Sequence, residues 1–479
     1  MAISVGKLNQ YNLEYLPEND IFREREGDNL FGKGGNDVVS GDQGDDVIQQ
    51  GNQGNDKLFL GGEGDDVILG KGGNDVVSGD QGDDVIQGNE GNDQLFGGEG
   101  DDVIQGGAGN DRIWGDSGND VLQGGAGNDT FRDSAGVNYF DGGEGRDTVD
   151  FHDLINSGIK LNLAEGTGSY TDEQDQEVAQ TLISIEKAVG TNFNDELIGN
   201  EANNMFFGLE GDDKYVGGAG NDTFRDSGGS NHFDGGEGRD TVDFQNLINS
   251  GIKLNLAEDT GSYTDEQDQE VAQTLISIER ALGTNFNDEL TGNEVDNMFF
   301  GLEGDDKQTF CVNCAGNNTF RDSGGSNHFD GGEGRDTVDF QNLINSGIKL
   351  NLAEDTGSYT DEQDQELAQT LISIERALGT NFNDELTGNE VDNTLFGKKN
   401  LKLAEEYRQL IALPVLSELE ANRMAKILEL ANLDESLNCL IEEIEMTDYL
   451  KLEQWNQGLR NLLKVISTEE PSPSTPWQD

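Results

Sequence analysis

An aspartate returns every nine residues from Asp66 to Asp129. The stretches GGEGDDVIL (61–69), GGEGDDVIQ (97–105), GGAGNDRIW (106–114) and GGAGNDTFR (124–132) show its setting: G-G-x-G-x-D-x-U-x, where U is Ile, Leu, Val or Phe. From Gly61 to Asp150 this beat runs without an inserted or deleted residue. A carboxylate supplies a hard anionic oxygen, and a glycine-rich turn can aim backbone carbonyls at the same centre. Calcium takes about six to eight such oxygens. Nothing in the repeat offers the nitrogen or sulfur donors that suit zinc or copper. The pattern therefore points to calcium held at multiple sites. The candidate ligands in the first array are Asp37, Asp46, Asp56, Asp66, Asp75, Asp84, Asp93, Asp102, Asp111, Asp120 and Asp129, then Asp147. Further along they are Asp195, Asp213, Asp222, Asp240, Asp288, Asp306, Asp336 and Asp384. Asparagine replaces aspartate at Asn138, Asn204, Asn231, Asn297, Asn318, Asn327 and Asn393, which keeps an oxygen but loses the charge.

The elements that would position these carboxylates follow from the same nine residues. Six form a turn and three a short strand. Glycine at the first, second and fourth positions is expected to permit positive φ. In x-U-x, alternate side chains face opposite ways, so the single apolar residue points inward. Two repeats make one coil of about 18 residues, and repeats n and n+2 stack about 4.8 Å apart. The expected fold is an all-β repeat, a parallel β-roll built in several blocks. Gln50 and Leu60 read as single extra residues within the early repeats.

The nonapeptide resembles the RTX, or haemolysin-type, calcium-binding repeat family, a β-solenoid class with this signature. The resemblance covers roughly residues 26–397. It implies an ion seated between stacked turns, a bacterial source, and export through a type I exporter with an uncleaved C-terminal signal. It also implies a secreted, extracellular or cell-surface location. A longer module recurs beyond the first array: DTVDF stands at 147, 240 and 336, and GTNFNDEL at 190, 283 and 379. Similar stretches lie between nonapeptide blocks in cyanobacterial RTX proteins and in serralysin-like tails. Within the module, IKLNL alternates like a half-buried strand, whereas TLISIERAL fits either strand or helix.

Composition agrees with cation binding. Asp and Glu number 96 against 30 Lys and Arg, a net charge of −66, with most of the excess before residue 398. Such a surface repels nucleic acid and anionic membranes. No apolar run is long enough to span a bilayer, and the first 20 residues do not read as a Sec signal peptide. A coil buries only two apolar residues, so the roll is expected to need calcium to fold. The chain divides into a leader with a worn capping repeat (1–31), the first array (32–150), module 1 (151–243), module 2 (244–339) and a truncated module 3 (340–397). A small α-helical C-terminal segment follows (398–479), with Ser417 and Glu420 as a capping box. The stretch 307–330, with a three-residue insertion and two asparagines in place of aspartate, is expected to be the weakest part of the roll.

Other motifs carry less. Cys311 and Cys314 form CVNC without the βαβ context of a redox site or the four ligands of structural zinc. His232 and His328 are one feature copied, and neither H-E-x-x-H nor G-x-S-x-G occurs. The function expected is calcium-ion binding with a structural, surface or adhesion role and no enzyme activity. Cell-surface or matrix components are the expected partners. The alternatives are an RTX toxin or bacteriocin-like protein, or a hydrolase with an unrecognised site.

Overall fold

The computed structural model describes residues 21–23, 29–31, 38–49 and 58–397, apart from 133–134, 155, 248–249, 310–315, 322, 344–345 and 392. Asp37, Asp56, Cys311, Cys314 and the expected C-terminal helices lie outside these residues. Two compact units divide the chain, one ending at Gly316 and one beginning at Asn317.

The first unit is a parallel β-roll with two walls. On one wall Val67–Gly72, Val85–Glu90, Val103–Ala108, Val121–Ala126 and Tyr139–Glu144 stack in register, Ile68 opposite Ile86, Ile104, Leu122 and Phe140 in turn. The other wall stacks Val76–Gln81, Gln94–Glu99, Arg112–Ser117, Thr130–Arg132 and Thr148–Asp150. Partners are 18 residues apart, as two nonapeptides per coil require. The inward residues Ile68, Val77, Ile86, Leu95, Ile104, Ile113, Leu122 and Phe131 are fully buried. Each contributes about 1.5–3 kcal/mol on leaving water. The expected three-residue strands are longer in the array, where pairing runs on into the next turn.

Three details differ from the sequence expectation. A strand ahead of the worn capping repeat joins the ladder: Ile21–Arg23 pairs with Val38–Ser40, while Asn29–Phe31, within the expected capping repeat, pairs with Val47–Gln49. Leu60 is not an extra residue, because Phe59 aligns with Val77 and Leu60 with Ser78. The glycines also divide their work. Fourth-position Gly64 has φ of +139°, whereas first-position Gly61 stays outside the positive-φ region. Gly61 is required by close approach instead: a Cβ there would collide with the Asp66 carboxylate and the Gly79 carbonyl.

The module insertions consist of strands and turns, with no helix among the described residues. Lys160–Asn162, Thr167–Thr171 and Glu177–Ile183 form an antiparallel meander set into one wall, between Tyr139–Glu144 and Glu196–Ile198. The opposite wall has only Lys187–Val189 between Thr148–Asp150 and Met205–Phe207. TLISIERAL is therefore strand, turn and strand: Glu270–Ile276 and Arg280–Leu282, joined through Ser277. Between the insertions the core is aromatic: Phe206, Tyr215, Phe224, Phe233 and Phe244 are buried. Tyr215 stacks on Phe233 with centroids 4.8 Å apart.

The second unit repeats the plan. Thr319–Arg321, Thr337–Asp339, Arg376–Leu378 and Thr394–Phe396 make one wall. His328–Asp330, Glu366–Ile372, Thr356–Thr360, Lys349–Asn351 and Glu385–Thr387 make the other.

Candidate metal centres

Each sixth-position aspartate described in the array sits at the end of a turn, two residues before the inward strand residue. The strand fixes its backbone, so its side chain folds back under the turn. Asp66, Asp75, Asp84, Asp93, Asp102, Asp111, Asp120 and Asp129 are each 1% exposed and Asp147 is 0% exposed. One oxygen is structural. Asp84 Oδ1 accepts the backbone N–H of Asp66 at 2.7 Å, and Asp102 Oδ1 that of Asp84 at 2.8 Å. The same link joins Asp93 to Asp75, Asp111 to Asp93, Asp129 to Asp111 and Asp147 to Asp129. It also joins Asp66 to Asp46, there across 20 residues because of the earlier insertions.

The other oxygen has no donor. Oδ2 of Asp66, Asp84, Asp93, Asp102, Asp111, Asp120, Asp129 and Asp147 is buried without a hydrogen-bond partner. In Asp66, Asp84, Asp93, Asp102, Asp111 and Asp129 it lies instead beside a first-position glycine and the carbonyl of the glycine one coil on, as at Gly97, where Asp102 Oδ2 and the Gly115 carbonyl converge. Two acceptors facing each other in a buried place call for a proton or a cation. Burial raises Asp66, Asp93, Asp111, Asp120, Asp129 and Asp147 to a pKa of about 6, and Asp84 and Asp102 to about 7. The donor set is oxygen alone. Among the described residues no point gathers three His, Cys, Asp or Glu side chains, so carbonyls must complete any coordination shell. A hard divalent ion such as calcium fits this set.

The module aspartates fall into two groups. Asp222, Asp240 and Asp336 keep the array geometry, each with a buried Oδ2 that has no partner. Asp195 and Asp288 do not. Asp195 Oδ1 accepts from Ile159 N–H at 2.7 Å and Thr191 Oγ1 at 2.9 Å, and its Oδ2 accepts from Thr191 N–H at 2.7 Å. Thr284 and Ile252 close Asp288 in the same way. Asp384 accepts from Ile348, Thr380 N–H and Thr380 Oγ1. Asp213 Oδ2 accepts from the Tyr215 hydroxyl at 3.2 Å. Asp306 Oδ1 receives the Asp288 N–H, and the buried Gln308 side chain lies on its far side, against Gly301.

The turns of Asn138, Asn231 and Asn327 close themselves. Asn138 Oδ1 accepts the Asp120 N–H, while its amide nitrogen donates to the Ala135 carbonyl at 3.0 Å. Asn327 donates to Gly324 at 2.8 Å. Asn231 donates to Gly228 and to the buried Asp226 carboxylate, which burial holds well above its ordinary pKa.

Sequence reading missed several of these partners. Fifth-position Asn or Asp side chains form an outer ladder, Asp83 N–H to Asp65 Oδ1 and Asn110 N–H to Asn92 Oδ1 among them. The signal was present, since that position is Asn or Asp in every repeat from Asp65 to Asn128. The Thr191–Asp195 pair was visible as a four-residue spacing repeated at Thr284–Asp288 and Thr380–Asp384.

The family described as RTX calcium-binding nonapeptide repeat (4 copies) matches residues 26–58, 49–77, 60–95, 87–122, 114–149, 189–224, 216–244, 279–307 and 315–341. No curated protein matches the chain. Among solved structures, the crystal structure of extracellular lipase LipA from Serratia marcescens is similar at 19% identity, with a TM-score of 0.16. The match covers 38% of this chain and 38% of that one. Among the described residues, no helix is long and apolar enough to cross a membrane.

Proposed function

We propose that this chain, an RTX calcium-binding repeat protein, leaves the cell unfolded and folds outside it as a structural or surface-associated roll without catalytic activity of its own. Calcium binding by the repeats is the premise; the ligands, the location and the role are the reading. The observation that carries it is the set of buried Oδ2 atoms of Asp66, Asp84, Asp93, Asp102, Asp111, Asp129 and Asp147, each beside a backbone carbonyl and receiving no hydrogen bond. A bound calcium ion would neutralise these oxygens and cross-link consecutive coils. The chain's part is to hold the oxygens in place: Oδ1 is fixed by the backbone N–H one coil earlier, and the apolar ladder keeps the turns in register. Without that neutralisation, buried carboxylates in successive coils repel and the thin core does not compensate.

Asp46, Asp66, Asp75, Asp84, Asp93, Asp102, Asp111, Asp120, Asp129, Asp147, Asp222, Asp240, Asp306 and Asp336 are proposed as ligands. Asp195 and Asp288, with both oxygens taken by threonine and backbone donors, are proposed as structural, as are Asp384, whose Oδ1 accepts from Thr380 and Ile348, and Asp213 through Tyr215. Cytosolic calcium would leave the chain expanded enough to thread an exporter, and extracellular calcium would fold it. Far-UV circular dichroism should show strand content appearing cooperatively as calcium is raised to the millimolar range. A strand-rich spectrum of the array in chelator at neutral pH would oppose the ligand assignment. Deletion of 400–479 should trap the chain inside cells that carry a type I exporter; normal export of that truncation would remove the secretion reading.

A further inference from the structure

The nine-residue beat breaks where each module insertion returns to the roll. Leu182 lies opposite Phe140 on one wall and Ala188 opposite Val149 on the next, as in any coil. The turn between them is much shorter than an ordinary one. Ser184 takes the place of the first-position glycine, and Glu186 immediately precedes the strand, where Asp stands elsewhere. Ser184 adopts φ of +51°, a conformation uncommon for a residue with a Cβ. The result is that its carbonyl meets Asp147 Oδ2 beside Gly142, as the Gly142 carbonyl meets Asp129 Oδ2 beside Gly124 one coil earlier. Glu186 Oε2 accepts the Asp147 N–H at 2.9 Å, the bond that Asp147 Oδ1 itself makes to Asp129. A shorter turn sits further back, and a side chain one methylene longer restores the reach. Its other carboxylate oxygen accepts no hydrogen bond among the described residues.

The same arrangement occurs twice more. Glu279 Oε2 accepts from Asp240 N–H and Glu375 Oε2 from Asp336 N–H, each at 2.9 Å. Ser277 and Ser373 have φ of +52°, and their carbonyls approach Gly235 and Gly331. Asp147, Asp240 and Asp336 are each 0% exposed, with Oδ2 lacking a partner. A buried acceptor aimed at a second acceptor, with a carboxylate on the facing turn, is the cation cradle of the array rebuilt from a different turn.

We infer that Glu186, Glu279 and Glu375, with the carbonyls of Ser184, Ser277 and Ser373, complete calcium sites with Asp147, Asp240 and Asp336, so that the row of ions continues through each insertion. This rests on the reading of the array aspartates as ligands. The test counts calcium bound per full-length chain by equilibrium dialysis at saturating calcium, with folding checked by circular dichroism. The triple variant Glu186→Gln, Glu279→Gln, Glu375→Gln is expected to lose about three ions. Replacing the same residues with Asp should also lose them, because the charge is kept but the reach is not. Asp102→Asn serves as the array control. An unchanged count in the triple variant, with ions lost in Asp102→Asn, overturns the junction sites and leaves the array reading standing. Unchanged counts in both overturn both. Loss in the triple variant alone removes the array assignment and, with it, the continuous row. Should the triple variant not fold, Glu186→Gln and Glu279→Gln are measured singly, and retention of the full count in each overturns the inference.

Discussion

The array from Gly61 to Asp147 and the module coils from Lys187 to Thr309 close the same coil by different chemistry. In the array, nearly every turn buries a carboxylate oxygen that finds no donor. In the module coils, many of the same positions receive donors from the chain itself: Thr191 and Thr284, the Tyr215 hydroxyl, and asparagine amides that turn back on their own loops. The comparison teaches that a missing charge is not a missing support. A turn closed by its own hydrogen bonds loses the cation and the repulsion together. The array, richest in aspartate, is therefore expected to depend most on calcium, ahead of the stretch 307–330. Asn327, in the stretch expected to be weakest, is closed by its own bond to Gly324.

The largest effect should come from removing several array ligands at once. Asp84→Asn, Asp102→Asn and Asp120→Asn together should shift the calcium midpoint of array folding upward by more than tenfold, read by circular dichroism. The equivalent change at Asp195 and Asp288 should leave the midpoint within about twofold while lowering stability by about 1–3 kcal/mol per site. Equal midpoint shifts in the two variants would erase the distinction.

Acidity should sharpen it. Burial raises the array carboxyls to about 6 or 7 from an ordinary 3.8. A carboxyl that titrates higher when folded binds more protons in the folded state, so the calcium-free roll gains stability as pH falls from about 7 to about 4 and loses it as pH rises again. In chelator, strand content should therefore grow on acidification. In calcium, protons compete with the ion, and the array midpoint should rise as pH drops through about 6 to 7. A calcium-free array that loses strand as it is acidified over this range would contradict the burial of these groups.

A smaller effect is expected at Tyr215. Tyr215→Phe removes the donor to Asp213 Oδ2 and to Asp226, leaving buried carboxylates uncompensated. Stability in chelator should fall by about 1–3 kcal/mol, and part of the loss should be recovered by calcium. A variant as stable as the parent in chelator would show that the hydroxyl does not support this turn.

Much of this was legible in the sequence, for physical reasons. A nine-residue beat with one apolar residue per strand dictates two repeats per coil, an inward ladder and a carboxylate at a constant place. What stayed hidden depends on turns that break the beat. Ser184 and Glu186 sit in a shortened turn within an apolar run, so neither the period nor the residue types marks them. Leu58 and Phe59 are both apolar, and only the register shows that Phe59 aligns with Val77. One donor to Asp195, the Ile159 N–H, comes from 36 residues away, and no local pattern announces that contact.

Amide hydrogen exchange across a calcium titration tests the central claim most directly, because it reads both regions in one molecule. As calcium is lowered at neutral pH, the strands from Val67 to Glu144 should lose protection first and over a narrow range. Lys187–Val189, Met205–Phe207 and Arg280–Leu282 should hold to lower calcium. Protection lost from the module strands first, or from both regions at one concentration, would contradict the account.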